Sequence, residues 1–142
     1  MSSNSAPAKL LRISDEELDG DHEMREYLGN PFTGIAYAKY SNGNLETEIT
    51  CLDGRPDGLC REWYLNGQQR REWMARFGPV HGVCTEWYVA GTIKSVAKYS
   101  YGVEVAYDEW SASGELINHR ELDEQSPMHR LIAKLEQNYN KS

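Results

Sequence analysis

Gly58-Leu59-Cys60-Arg61-Glu62-Trp63-Tyr64-Leu65-Asn66-Gly67 recurs with changes at Gly82-Val83-Cys84-Thr85-Glu86-Trp87-Tyr88-Val89-Ala90-Gly91, 24 residues on (58 to 82). Both glycines, the cysteine and Glu-Trp-Tyr keep their offsets. One interval earlier, Gly34-Ile35-Ala36-Tyr37-Ala38-Lys39-Tyr40-Ser41-Asn42-Gly43 keeps the glycines, the second tyrosine and Asn-Gly. One interval later, Glu109, Trp110 and Gly114 persist, but Val105 replaces the opening glycine and Ser111 the tyrosine. A further glycine, at Gly54, Gly78 and Gly102, closes each of the first three units. A fixed interval of this size marks an array in which each unit buries its apolar side only against its neighbours.

The unit reads as a β-hairpin. Asn42-Gly43 and Asn66-Gly67 suit the positive φ of a tight turn, and the flanking runs are rich in Tyr, Trp, Ile and Val. The expectation is an all-β fold: tandem β-hairpin repeats over 27–124, with units near 34–57, 58–81, 82–104 and 105–122, forming one elongated, curved antiparallel sheet. The fourth unit, one residue short and lacking its opening glycine, is expected to be irregular or to cap the array.

Along a strand, alternate side chains point to opposite faces. Cys60, Glu62 and Tyr64 share one face, while Leu59, Arg61 and Trp63 share the other. Across units these positions become columns: Trp63, Trp87 and Trp110; Glu62, Glu86 and Glu109; Tyr40, Tyr64 and Tyr88. The tyrosines are expected to pack unit on unit. The tryptophans are expected either to pack or to anchor a partner, since buried Trp, Tyr and Arg supply most interface energy. A glutamate column is costly unless a cation lies between its members. Arg61, Arg70, Arg71 and Arg76 are the internal candidates, and a partner's Lys or Arg is the external one. The candidate partner-binding set is therefore Trp63, Trp87, Trp110, Glu62, Glu86, Glu109, Arg61, Tyr64 and Tyr88.

With 142 residues the chain has the size of one domain. Its net charge of -7 argues against nucleic acid or anionic membrane as a partner and for a basic one. Cys60 and Cys84 follow Ala36 in one column, which marks them as small fillers. With Cys51 they form no metal or redox motif. No apolar run suits a signal or a membrane span, so a cytoplasmic location is expected. His22, His81, His119 and His129 share no spacing, and no phosphate loop or nucleophile motif is present. Neither catalysis nor a cofactor is expected.

The ends differ from the middle. Residues 1–26 are expected to form a flexible acidic segment, with seven carboxylates between Asp15 and Glu26 against Arg25. At the other end, Ser126-Pro127 signals a helix start, and Met128, Leu131, Ile132, Leu135 and Tyr139 recur at helical spacing. A helix over 126–139 is expected to cap the last hairpin.

The units, written Gly-x-x-x-Glu-Trp-Tyr-x-Asn-Gly with a closing Gly, resemble MORN-repeat variants. The lead-in Tyr27-Leu28-Gly29-Asn30-Pro31-Phe32-Thr33-Gly34 is similar to the segment that opens the repeats of bacterial YwqK-like proteins. The resemblance covers residues 27 to 122. It implies an antitoxin or immunity protein that binds a cognate toxin domain, one acting on nucleic acid among the options, and occludes its active site. A general interaction scaffold and a lipid-surface module are the other readings.

Overall fold

In a computed structural model, the described residues are 10–140, with side chains to 138. The strands in chain order are β1 (Arg12–Ser14), β2 (Asp19–Gly20), β3 (Arg25–Tyr27), β4 (Asn30–Pro31), β5 (Gly34–Lys39), β6 (Leu45–Leu52), β7 (Arg55–Trp63), β8 (Gln69–Ala75), β9 (Val80–Trp87), β10 (Ile93–Ser100), β11 (Val103–Trp110) and β12 (Leu116–Glu121). One 3-10 turn covers Asp15–Glu17, and helix α1 spans Pro127–Asn140. Strands β5 to β12 pair with their sequence neighbours, giving the four expected hairpins in one open sheet. That sheet spans roughly 40 Å across its strands.

Two turns alternate. In the first hairpin, Gly43 N–H donates to Tyr40 C=O (2.9 Å) and Tyr40 N–H to Asn44 C=O (2.8 Å), closing a three-residue loop. Only Gly43 takes positive φ there (89°). Asn42 contributes differently from the expectation: its side-chain oxygen accepts the Asn44 N–H at 3.0 Å. The same loop recurs at Gly67, Gly91 and Gly114, so the fourth hairpin is regular. Units are joined by two-residue turns, Asp53-Gly54, Phe77-Gly78 and Tyr101-Gly102, in which both residues have positive φ. The N–H of the first residue in each is accepted by Thr33 Oγ1, Asp57 Oδ2 and His81 Nδ1, respectively, each at 3.0 Å. These acceptors are themselves 24 residues apart.

The tyrosine column forms a second ladder at the other end of the strands. Tyr40, Tyr64 and Tyr88 donate through their hydroxyls to the carbonyls of Trp63, Trp87 and Trp110, at 2.7, 2.7 and 2.8 Å. At Ser111 the ladder ends, because β12 is the last strand and no further unit offers a carbonyl.

Three expectations are corrected. The sheet has a ninth strand: β1 joins β5 in parallel, and β2, β3 and β4 form a separate small sheet. The acidic segment is consequently folded from residue 12 onward, whereas residues 1–9 lie outside the described ones. Its apolar residues account for this. Ile13 and Phe32 are buried with Ala36, Ile49, Cys51, Cys60 and Ala75, and Leu18, Tyr27 and Trp73 pack around them. Burying Phe32 alone contributes about 2 kcal/mol or more. Arg25 is buried as well, its Nε donating to Asp15 Oδ1 at 2.8 Å. Residues 15–32 thus form a cap over one face of the first two units, with β1 as the edge strand of the sheet beneath.

The third correction concerns α1. Ser126 caps it, accepting the His129 N–H at 3.1 Å. Among its described side chains, however, only Ile132 is buried. Met128, Leu131 and Leu135 are exposed, and so are all six residues of β12. The helix leaves β12 exposed and meets the last hairpin only at its end, where Ile132 and Ala133 line a cleft of about 460 Å³ with Val105, Ala106 and Leu122. Glu136 instead accepts the Ser100 hydroxyl, beside the turn that ends unit three.

Candidate functional site

The register sorts the candidate residues onto two faces. Across the strands, one row on the capped face runs Thr47, Glu62, Arg71, Glu86, Ser95, Glu109. Beside it lies Ile49, Cys60, Trp73, Cys84, Ala97, Tyr107. The small members form a floor: Cys60 (0% exposed), Ser95 (2%), Cys84 and Ala97 are buried even where the cap does not reach. The larger side chains form walls, giving a trough along the sheet.

Arg71 is the cation that the glutamate column needs. It comes from β8, opposite Glu62 on one side and Glu86 on the other. Its Nε donates to Cys84 Sγ at 3.3 Å and lies 3.8 Å from Glu86 Oε1. Its guanidinium sits 4.3 Å from the centre of the Trp73 ring, a cation–π distance. Burial opposes its charge, but Cys84, Glu62 and Glu86 outweigh burial and hold its pKa above the ordinary arginine value. Of the four arginines considered, Arg61 instead pairs with Glu72 on the opposite face at 3.1 Å.

Two arginines face the trough's carboxylates: Arg120, opposite Tyr107, lies 3.9 Å from the centre of that ring and pairs with Glu104 at 3.0 Å, which leaves the excess of acid at the capped end, around Arg71. Glu86 accepts the Ser95 hydroxyl, and Glu109 that of Tyr107. Glu46 and Glu62 have no direct hydrogen-bond or ion-pair partner among the described residues. Both line a cleft of about 410 Å³ where the cap meets the sheet, together with Asp15, Arg25, Arg71 and Trp73. The exposed cap carboxylates Glu16, Glu17, Asp19, Asp21 and Glu23 extend the negative charge beyond it.

The opposite face is balanced. Its row Tyr37, Glu48, Arg61, Glu72, Thr85, Val96, Asp108, His119 pairs its charges internally: Arg12 with Glu48, Arg61 with Glu72, His119 with Asp108. Trp63, Trp87 and Trp110 lie here, each half-buried. The nine candidate residues are therefore not one site. Glu62, Glu86 and Glu109 line the trough, Trp63, Trp87, Trp110 and Arg61 lie behind it, and Tyr64 and Tyr88 tie units together at the hairpin ends.

Trp73 escaped the sequence reading because it sits in the second strand of its hairpin, outside the repeated decapeptide. The cap was missed because its acidic residues masked a sparse apolar pattern of Ile13, Leu18, Tyr27 and Phe32. Burial raises the Cys60 thiol to about 11, which suits a filler. Among the described residues, no group of three His, Cys, Asp or Glu is arranged to hold a metal ion, and no helix is long and apolar enough to cross a membrane.

No protein-family model matches this chain. No curated protein matches it. One solved structure, of accessory secretory protein 1,2 and 3 in Streptococcus pneumoniae, aligns over 98% of this chain at 14% identity with a TM-score of 0.38; the chain spans 28% of that one's length. A likeness that distant carries no argument about fold or function.

Proposed function

We propose that this protein is an immunity-type antitoxin that binds a basic toxin domain through the acidic trough and its cap. The observation that carries the reading is the uneven charge of the two faces. Carboxylates are paired on the tryptophan face, and at the far end of the trough Arg120 pairs with Glu104, while at the capped end, where Arg25 is taken up by Asp15, Arg71 is the cation that faces Glu46, Glu62 and Glu86. A rigid sheet with uncompensated negative charge favours encounter with a basic surface and binds it without a large ordering cost. The resemblance of the repeats to MORN variants of the YwqK-like kind supplies the toxin as that basic partner.

Co-expression with the toxin domain encoded beside the gene tests this: growth should be rescued. Glu46→Gln, Glu62→Gln and Glu86→Gln together remove charge while keeping shape. They should slow association about tenfold at low salt, with a smaller effect at high salt. Growth arrest despite abundant folded protein would refute the antitoxin reading. Loss of binding on Trp87→Ala but not on the triple Gln substitution would place docking on the opposite face.

A further inference from the structure

The first three hairpins each pass their second strand to the next unit: β6 pairs with β7, β8 with β9 and β10 with β11. β12 is the second strand of the fourth hairpin and has only β11 beside it, so it ends the sheet with one edge open. Leu122 N–H donates to the Val105 carbonyl at 2.9 Å. Bonding alternates along an antiparallel pair. In this register Arg120 and Asn118 therefore turn their N–H and C=O groups toward β11, and those of His119 and Glu121 point off the sheet.

Natural proteins blunt such an edge with charged side chains, proline or a covering element. Among the described residues, none of these guards β12. Its charged side chains are taken up within their own sheet: Arg120 reaches back to Glu104 at 3.0 Å and lies over the Tyr107 ring, while His119 bonds Asp108 and lies 3.2 Å from Glu121. Helix α1 runs inward, where His129, Ile132 and Glu136 line a cleft with His81 and Ser100. All six β12 residues stay exposed, Leu116 and Ile117 by more than half.

Charge selects the occupant. In residues 116–142 the cations Arg120, Arg130, Lys134 and Lys141 match the acids Glu121, Asp123, Glu124 and Glu136, so the net charge of -7 lies wholly in residues 1–115. Two copies repel one another at the cap and trough but not at this end. The opposite edge, β1, offers only three residues, and joining it to β12 would build an open filament rather than a closed pair. We propose that two copies of this chain pair antiparallel through their β12 edges about a two-fold axis. Opposed residues in such a pair share a face, so one sheet runs through both copies and the two troughs lie on the same side. A six-residue edge is a small interface, below roughly 1,200 Å² of total buried surface, so the dimer dissociates on dilution. The pairing is independent of what the trough binds.

Sedimentation of the full chain over a range of concentrations, with amide hydrogen exchange read residue by residue, tests this. Dimer should form as concentration rises, and the His119 and Glu121 amides should gain protection with it, while that of Arg120 is protected throughout. Glu121→Pro removes an outward N–H and leaves the β11–β12 ladder intact, since proline is tolerated where a strand's N–H faces solvent. It should give a folded monomer. A chain that stays monomeric at every concentration overturns the proposal. So does a dimer that survives Glu121→Pro, or one abolished by Leu131→Asp, which would put the contact on α1. Protection of Glu121 gained only on adding a basic partner would assign the edge to that partner's strand and overturn it as well. If Glu121→Pro fails to fold, exchange in the unaltered protein decides: rates at His119 and Glu121 that do not change with concentration refute the pairing. Growth rescue is read separately, so failure of the antitoxin reading and failure of this dimer remain distinct outcomes.

Discussion

Tyr64 shows how much one hydroxyl does in a thin repeat sheet. Its bond to the Trp87 carbonyl ties the second unit to the third, and Tyr64→Phe should cost about 1 kcal/mol, read as a lowered Tm. Cys60 makes the opposite point, since its role is to be small. With its thiol raised to about 11 and its side chain buried, it should resist iodoacetamide at pH 8 in the folded protein and react on unfolding, as mass spectrometry would record. His119 lies between Asp108 and Glu121, and its hydrogen bond to Asp108, with both carboxylate fields, raises its folded pKa. A raised pKa means the contact stabilises fully below the unfolded value near 6.5 and is lost as pH rises through the folded one. Relative to His119→Gln, the natural protein should therefore lose stability between pH 6 and 8, measured by denaturant unfolding. The tyrosine and cysteine columns were legible because they repeat. The target of the tyrosine hydroxyl was not, because it is a backbone group in the next unit.

The cap is the element on which the trough's acidic end depends. Its buried pin is Arg25 with Asp15, and the two partners are unequally exposed, at 8% and 29% of their side chains. Asp15→Ala strands a buried guanidinium and should cost about 3 kcal/mol. Arg25→Met leaves a carboxylate that water can reach and should cost under about 1 kcal/mol, a contrast resolved by urea melts. The turns between units hold a different tension. Phe77 and Tyr101 occupy backbone that disfavours them by roughly 1 kcal/mol each. Tyr101 recovers something by packing against His81, with ring centres 4.7 Å apart. Helix α1 was readable to within a residue from its cap and spacing. Its docking was not, because amphipathic spacing names a face without naming what covers it.

At the scale of the molecule, nine strands in one open layer leave two faces whose chemistry has diverged. Neutralising the trough should slow association with a basic partner, whereas the same number of neutral substitutions at Glu48, Glu72 and Asp108 should mainly lower stability. Stopped-flow mixing at two salt concentrations, alongside thermal melts, separates these outcomes.

From the sequence alone came the hairpin period, the turn positions and the glutamate and tryptophan columns. All of these depend on contacts within a unit or between identical positions of adjacent units, and repetition exposes such contacts. Tertiary structure alone decided that Arg71 sits among the glutamates, that the acidic lead-in folds over them, and that β1 extends the sheet in parallel at its edge. Those contacts join unlike segments that occur once, and their energy comes from burying a few scattered side chains, Ile13, Phe32 and Arg25 among them, which no local pattern distinguishes from a solvated run.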